Sequence, residues 1–100
     1  MTWPFEDPPN TAVFTSADVV ERLAPILFVT HDADDGAWQF HSAHEAPDSV
    51  ADARVVSLAT ICAQDQSLLL LADLPVGWSA HRDQVGGPWQ RRPLESPGAS

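Results

Sequence analysis

The chain of 100 residues has no lysine and a single cysteine, Cys62. It also lacks any apolar run near the ~18 residues that a membrane-spanning helix needs. Each shortage excludes something. One cysteine cannot close an internal disulfide, and with Ile61 and Ala63 beside it Cys62 reads as a buried thiol rather than a nucleophile. The missing apolar run predicts no membrane association. The first seven residues hold neither a basic nor an apolar stretch of the kind that marks a secretory signal, so a cytoplasmic protein is expected.

Charge is short of one sign as well. Residues 1–53 contain ten acids and one base, Arg22, whereas residues 54–100 balance four acids against four arginines, so the whole net charge of −9 belongs to the first half. Such a surface repels nucleic acid and anionic membranes and steers basic partners toward it. The same excess also serves solubility.

What the sequence does contain is organised around residues 25–41, which read as a β-hairpin. Residues 26–29 form an apolar run rich in β-branched and aromatic side chains. Asp35-Gly36 suits a two-residue turn with positive φ at both positions. Trp38 and Phe40 then alternate with Gln39 and His41. A tight turn pairs Ala33 with Trp38 and His31 with Phe40; a longer loop shifts that register.

Before the hairpin, residues 1–14 contain Pro4, Pro8 and Pro9 and read as an irregular arm, with Trp3, Phe5, Val13 and Phe14 able to pack down. Thr15 and Asp18 fit a loose capping box for a helix over residues 16–23, which Pro25 stops. After the hairpin, residues 50–57 are ambiguous between helix and strand. The preferred reading is a strand over 54–57 followed by a helix over 58–64 with Ser57 as its N-cap. Ser67 is read as the cap of a short leucine-rich helix over 68–72. Residues 78–82 and 88–92 form a second hairpin about Gly86-Gly87, and Pro88 marks its return strand as an edge. Residues 93–100 read as a disordered tail. Together these predict one α+β domain over residues 15–92: an antiparallel sheet of four to five strands, made largely of two hairpins and covered on one face by two or three short helices.

Tests for chemistry return little. The stretch from Asp32 to Gly36 resembles the start of a calcium loop, but its glycine falls one position early and Ala43 stands where the closing glutamate belongs. His41 and His44 are three apart, with His31 across the hairpin, yet no zinc spacing encodes their convergence. No nucleophile motif and no phosphate loop is present, so no catalytic residue, metal ligand or cofactor is assigned. The arginines are more informative. A tight Gly86-Gly87 turn sets Arg82 opposite Arg91, which calls for a longer loop or for an anion or carboxylate between them. Trp38, Trp78 and Trp89 can share one sheet face, where core is the default for aromatics.

Several of these residues together resemble a known family. The set Asp35-Gly36-x-Trp38-x-Phe40, Asp65-x-x-Leu68, Leu74-Pro75-x-Gly77-Trp78-x-Ala80-x-Arg82 and Trp89-x-Arg91 is similar to a family of small bacterial domains of unknown function. Some relatives in that family are described as immunity proteins of polymorphic toxin systems. The resemblance covers about residues 25–92 and carries no catalytic residues. It implies a non-enzymatic domain that blocks a basic toxin with an acidic face. The expected partner surface is Asp32, Asp34, Asp35, Glu45 and Asp48, on a chain that is a monomer or a weak homodimer. A small-ligand, anion or metal-binding module using the histidines or Arg82 and Arg91 is the alternative.

Overall fold

A computed structural model describes residues 3–21, 24–42 and 53–93. It is an α+β fold with a mixed, open, six-stranded sheet. In chain order the elements are strand β1 (Ala12–Ser16), helix α1 (Ala17–Val20), β2 (Phe28–His31), β3 (Trp38–His41), β4 (Ala53–Ser57), α2 (Leu58–Gln64), a 3₁₀ helix (Gln66–Leu71), β5 (Trp78–His81) and β6 (Gln90–Pro93). The strands lie side by side as β4-β1-β3-β2-β5-β6. All neighbours are antiparallel except β1 and β3, which run parallel. No helix among the described residues is long and apolar enough to cross a membrane.

Two expectations change here. The sheet has six strands rather than four or five, and it is not purely antiparallel. Both changes come from β1, which occupies residues 12–16 where an irregular arm was expected to run to residue 14. Val13 and Thr15 face the core, while Phe14 faces out beside Gln39 of β3 and Val55 of β4. Thr15 is therefore not a helix cap. Its hydroxyl donates to the Phe40 carbonyl at 2.8 Å and ties β1 to β3. The N-cap of α1 is Ser16, whose hydroxyl bonds the Asp18 carboxylate, and α1 makes a single turn. Residues 22 and 23, at the end of the longer helix expected there, lie outside the described residues, as do residues 94–100 of the expected tail.

The central hairpin forms with the longer loop. His31 pairs with Trp38 and Val29 with Phe40, a shift of two residues from the tight-turn register. A two-residue shift preserves the pleat, so Trp38 and Phe40 still point inward. The loop spans residues 32–37. It is closed by the Asp32 N–H to the Ala37 carbonyl at 2.8 Å and the Gly36 N–H to the Asp32 carbonyl at 2.9 Å. Asp35 accepts the Ala37 N–H at 3.0 Å, and Gly36 supplies φ +73°.

Strand β4 and helix α2 follow the preferred reading, and Ser57 caps α2 by accepting the Thr60 N–H at 3.1 Å. The cap of the 3₁₀ helix is Asp65 rather than Ser67: its carboxylate accepts the Ser67 N–H at 3.0 Å. Of the leucine run, Leu68 and Leu71 are buried while Leu70 is exposed. One core results. Val13, Val29, Trp38, Phe40 and Ala80 from the strands meet Val19, Leu58, Ile61, Leu68 and Leu71 from the helical segments. The helices thus cover one sheet face.

Candidate functional site

The hairpin loop carries three of the five carboxylates expected to meet a partner. Asp34 and Asp35 are exposed, and Asp35 is braced by its own turn. Asp32 is half-buried and turns back onto the sheet, accepting from Gln39 Nε2 at 2.6 Å. It therefore stiffens the loop more than it extends the acidic tip. Glu45 and Asp48 lie outside the described residues, as does His44.

Beside the tip lies a groove of about 470 Å³ between the N-terminal arm, the hairpin and the turn before β5. Its walls carry the carboxylates of Glu6, Asp7, Asp35 and Asp73, and no arginine lines it among the described residues. Its apolar part comes from Phe5, Trp38, Leu74, Pro75 and Val76. Trp38 anchors this corner. Its indole N–H donates to Asp7 at 2.9 Å, its ring meets Phe5 edge-on at 5.3 Å, and His31 stacks on it at 3.9 Å. His31 Nδ1 donates to the Leu74 carbonyl at 2.8 Å, which fixes the turn to the hairpin. Sequence reasoning missed Glu6, Asp7 and Asp73. One signal pointed to Asp7: a buried tryptophan needs an acceptor for its N–H.

The arginines are separated by the strand register. Ala80 pairs with Arg91 and His81 with Gln90, so the loop after β5 is longer than a Gly-Gly turn and Arg82 does not oppose Arg91. Gly86 sits at φ +83° within it. Arg82 is 1 % exposed. Its Nε and Nη2 both donate to the Ile26 carbonyl, at 3.1 and 2.9 Å, and Nη1 donates to Ser67 Oγ at 2.9 Å. Nη2 also bonds the Asp65 carboxylate, and the guanidinium lies 4.3 Å from the Trp89 ring centroid. Arg91 pairs with Asp73 at 2.7 Å and donates to the Leu70 carbonyl at 2.8 Å. Carboxylates of this chain thus occupy the places where an anion was considered. Both come from the charge-balanced second half.

Burial pushes the Asp65 carboxyl up, but the Ser67 hydroxyl and Arg82 outweigh it and hold the group below the usual carboxylate range. Asp18 is lowered by its bond to Ser16, which burial opposes and the Ser42 hydroxyl and Val19 N–H assist. Asp73 is lowered by Arg91. Cys62 is buried, and burial pushes its thiol up to about 11, with Asp65 adding to the effect, so it is no nucleophile at neutral pH. No group of three potential metal ligands converges among the described residues.

His41 is the remaining titratable group of interest. It is 5 % exposed, on the sheet face away from the helices. Its Nε2 meets Gln39 Oε1 at 3.1 Å, and its Nδ1 has no hydrogen-bond partner among the described residues. Burial lowers its pKa below the usual 6.5, opposed by Asp32 and Asp18. The folded state therefore holds the neutral imidazole more firmly than the unfolded chain does. Stability from this group is complete above about pH 6.5 and is lost as the pH falls through the lower folded value. Below about pH 4 the lowered carboxylates, Asp18 and Asp65, begin to lose theirs. The urea midpoint of the wild type should thus fall from pH 7 to pH 5, and His41→Gln should flatten that part of the curve. Parallel curves for the two proteins would remove His41 as the cause.

No protein-family model, no curated protein and no solved structure matches this chain.

Proposed function

We propose that the chain is a non-enzymatic, acidic protein-binding domain that occludes a basic partner, as an immunity-like protein would. The observation that carries this reading is the acidic corner around the hairpin: Asp34 and Asp35 stand exposed at the tip, next to a groove walled by Glu6, Asp7 and Asp73. Glu6 and Asp73 are exposed too, so four carboxylates face water around one concave, partly apolar surface, Asp73 with Arg91 as its ion-pair partner. A lysine or arginine from a partner finds both an apolar wall for its stem and an acidic rim for its head there. The loop is held by four hydrogen bonds through Asp32, Asp35 and Gly36, so little order is lost on docking. Glu45 and Asp48, expected from the sequence to join this surface, lie outside the described residues. The motif residues of the bacterial domains with immunity-like relatives point in this direction, and so does the net charge of −9.

A deca-arginine peptide with a fluorescent label tests the surface by anisotropy. Affinity should fall about tenfold or more between 50 and 300 mM NaCl, since exposed charges are screened over that range. Combined replacement Glu6→Gln, Asp34→Asn and Asp35→Asn should produce a loss of similar size at 50 mM. Binding unaffected by the triple replacement would place the acidic face elsewhere, and affinity independent of salt would end the electrostatic reading.

A further inference from the structure

The two edges of the sheet are unlike. At one edge, β6 is guarded. It ends in Pro93, which has no N–H to offer, and carries Arg91 and Arg92, with Arg91 strapped to Asp73 and Leu70. At the other edge, β4 has neither proline nor acid in its five residues, Ala53–Ser57. Its outer side has no strand partner among the described residues. On the face away from the helices, Val55 is 61 % exposed and its cross-strand neighbour Phe14 is 43 % exposed.

We propose that β4 is a self-association edge, pairing antiparallel with β4 of a second copy about a two-fold axis at Val55. The register decides for a copy over an unrelated strand. Centred on Val55, it sets Ala53 opposite Ser57 and Arg54 opposite Val56, so the two arginines do not oppose each other. Val55 then meets Val55 of the other copy, and the exposed apolar pair on each side becomes one stripe of four residues across the join. Charge favours the same site. In a chain of net charge −9, β1 and β4 together contain no acid, so the two strands themselves bring no opposing carboxylates to the join. The guarded β6 edge cannot take up β4 in a head-to-tail chain, and the assembly closes as a dimer. One strand edge buries less than the ~1,200 Å² of a stable complex, so the dimer is a weak one.

Sedimentation equilibrium between 20 µM and 1 mM in 300 mM NaCl, where the net repulsion is screened, reads the result directly. The weight-average mass should rise from 10.8 kDa toward twice that value. Val55→Lys should hold it at the monomer mass with an unchanged circular dichroism spectrum. Val55→Cys should cross-link on oxidation, since antiparallel partners stand about 4.5–5.5 Å apart between Cα atoms, within disulfide reach. Val76→Cys, 54 % exposed far from β4 in the sheet order, should not. A chain still at 10.8 kDa at 1 mM overturns the proposal and leaves the edge to an extended segment of another protein. So does cross-linking at position 76 as fast as at position 55.

Discussion

Replacing Arg82 by methionine is expected to lower the unfolding free energy by about 3–5 kcal/mol, the range seen when one member of a buried ion pair is removed. For a domain of this size that is a fall in Tm on the order of 20 °C, read by thermal circular dichroism. The guanidinium closes three separate parts of the chain onto one another: Ile26 before β2, Asp65 and Ser67 at the junction of α2 with the 3₁₀ helix, and Trp89 before β6. Without it the Asp65 carboxylate stays 19 % exposed with its cation gone, and the Ile26 carbonyl loses both donors that Arg82 supplied. Asp65→Asn should cost a similar amount, because it takes the carboxylate away from a cation that is 1 % exposed. The double replacement should then cost clearly less than the two single losses together, since the pair is removed as a unit. Strict additivity, or a loss under about 1 kcal/mol for Arg82→Met, would show that the pair does not hold these segments together.

Trp38→Ala is expected to cost about 3–5 kcal/mol, as large-to-small changes in a closed core do. Trp38 is 2 % exposed and is one of the largest side chains in the core. It also fastens the arm, through Asp7 and the edge-on contact with Phe5. The loss should therefore be accompanied by faster amide exchange over residues 3–7 at neutral pH, well before global unfolding. Trp38→Phe keeps most of the apolar volume and loses the bond to Asp7, so it should cost about 1.5–3 kcal/mol, the range for a hydrogen bond to a charged group. Equal exchange at the arm in wild type and Trp38→Ala would mean that the arm is held by Phe5 and the proline-rich backbone alone. Since Trp38 lines the acidic groove, deca-arginine binding should weaken in Trp38→Ala even under conditions where the protein remains folded.

The parts of this fold that were legible in the sequence are those with a local signature. Alternation in Trp-Gln-Phe-His placed Trp38 and Phe40 on the core face whichever turn was chosen, because a shift of two leaves the pleat unchanged. Ser57 after two valines marked both the end of β4 and the start of α2. Strand β1 had no such signature. Three of its residues sat in a proline-rich stretch, and Thr15-Ser16 ahead of Asp18 looked like a helix cap. Its pairing with β3 is parallel and some 25 residues distant, which no local pattern encodes. Arg82 was misplaced for a related reason. Reading the glycine pair as a tight turn put it opposite Arg91. The alternation Trp78, Ala80, Arg82 already carried it to the covered face, where a cation has to find a carboxylate. The acidic tip was visible from composition and turn residues. The groove beside it was not, because it is assembled from the arm, the hairpin and the turn at Leu74, three segments that meet only in the folded chain.

The position of β1 has a bearing on how this protein can be shortened. Being second from the edge, it joins β4 to everything else in the sheet. An internal translation start after residue 16 would not yield a trimmed domain. It would yield a sheet missing an inner member, with β4 and its attached α2 cut off from β3. Any working version of this fold has to keep residues 12–16.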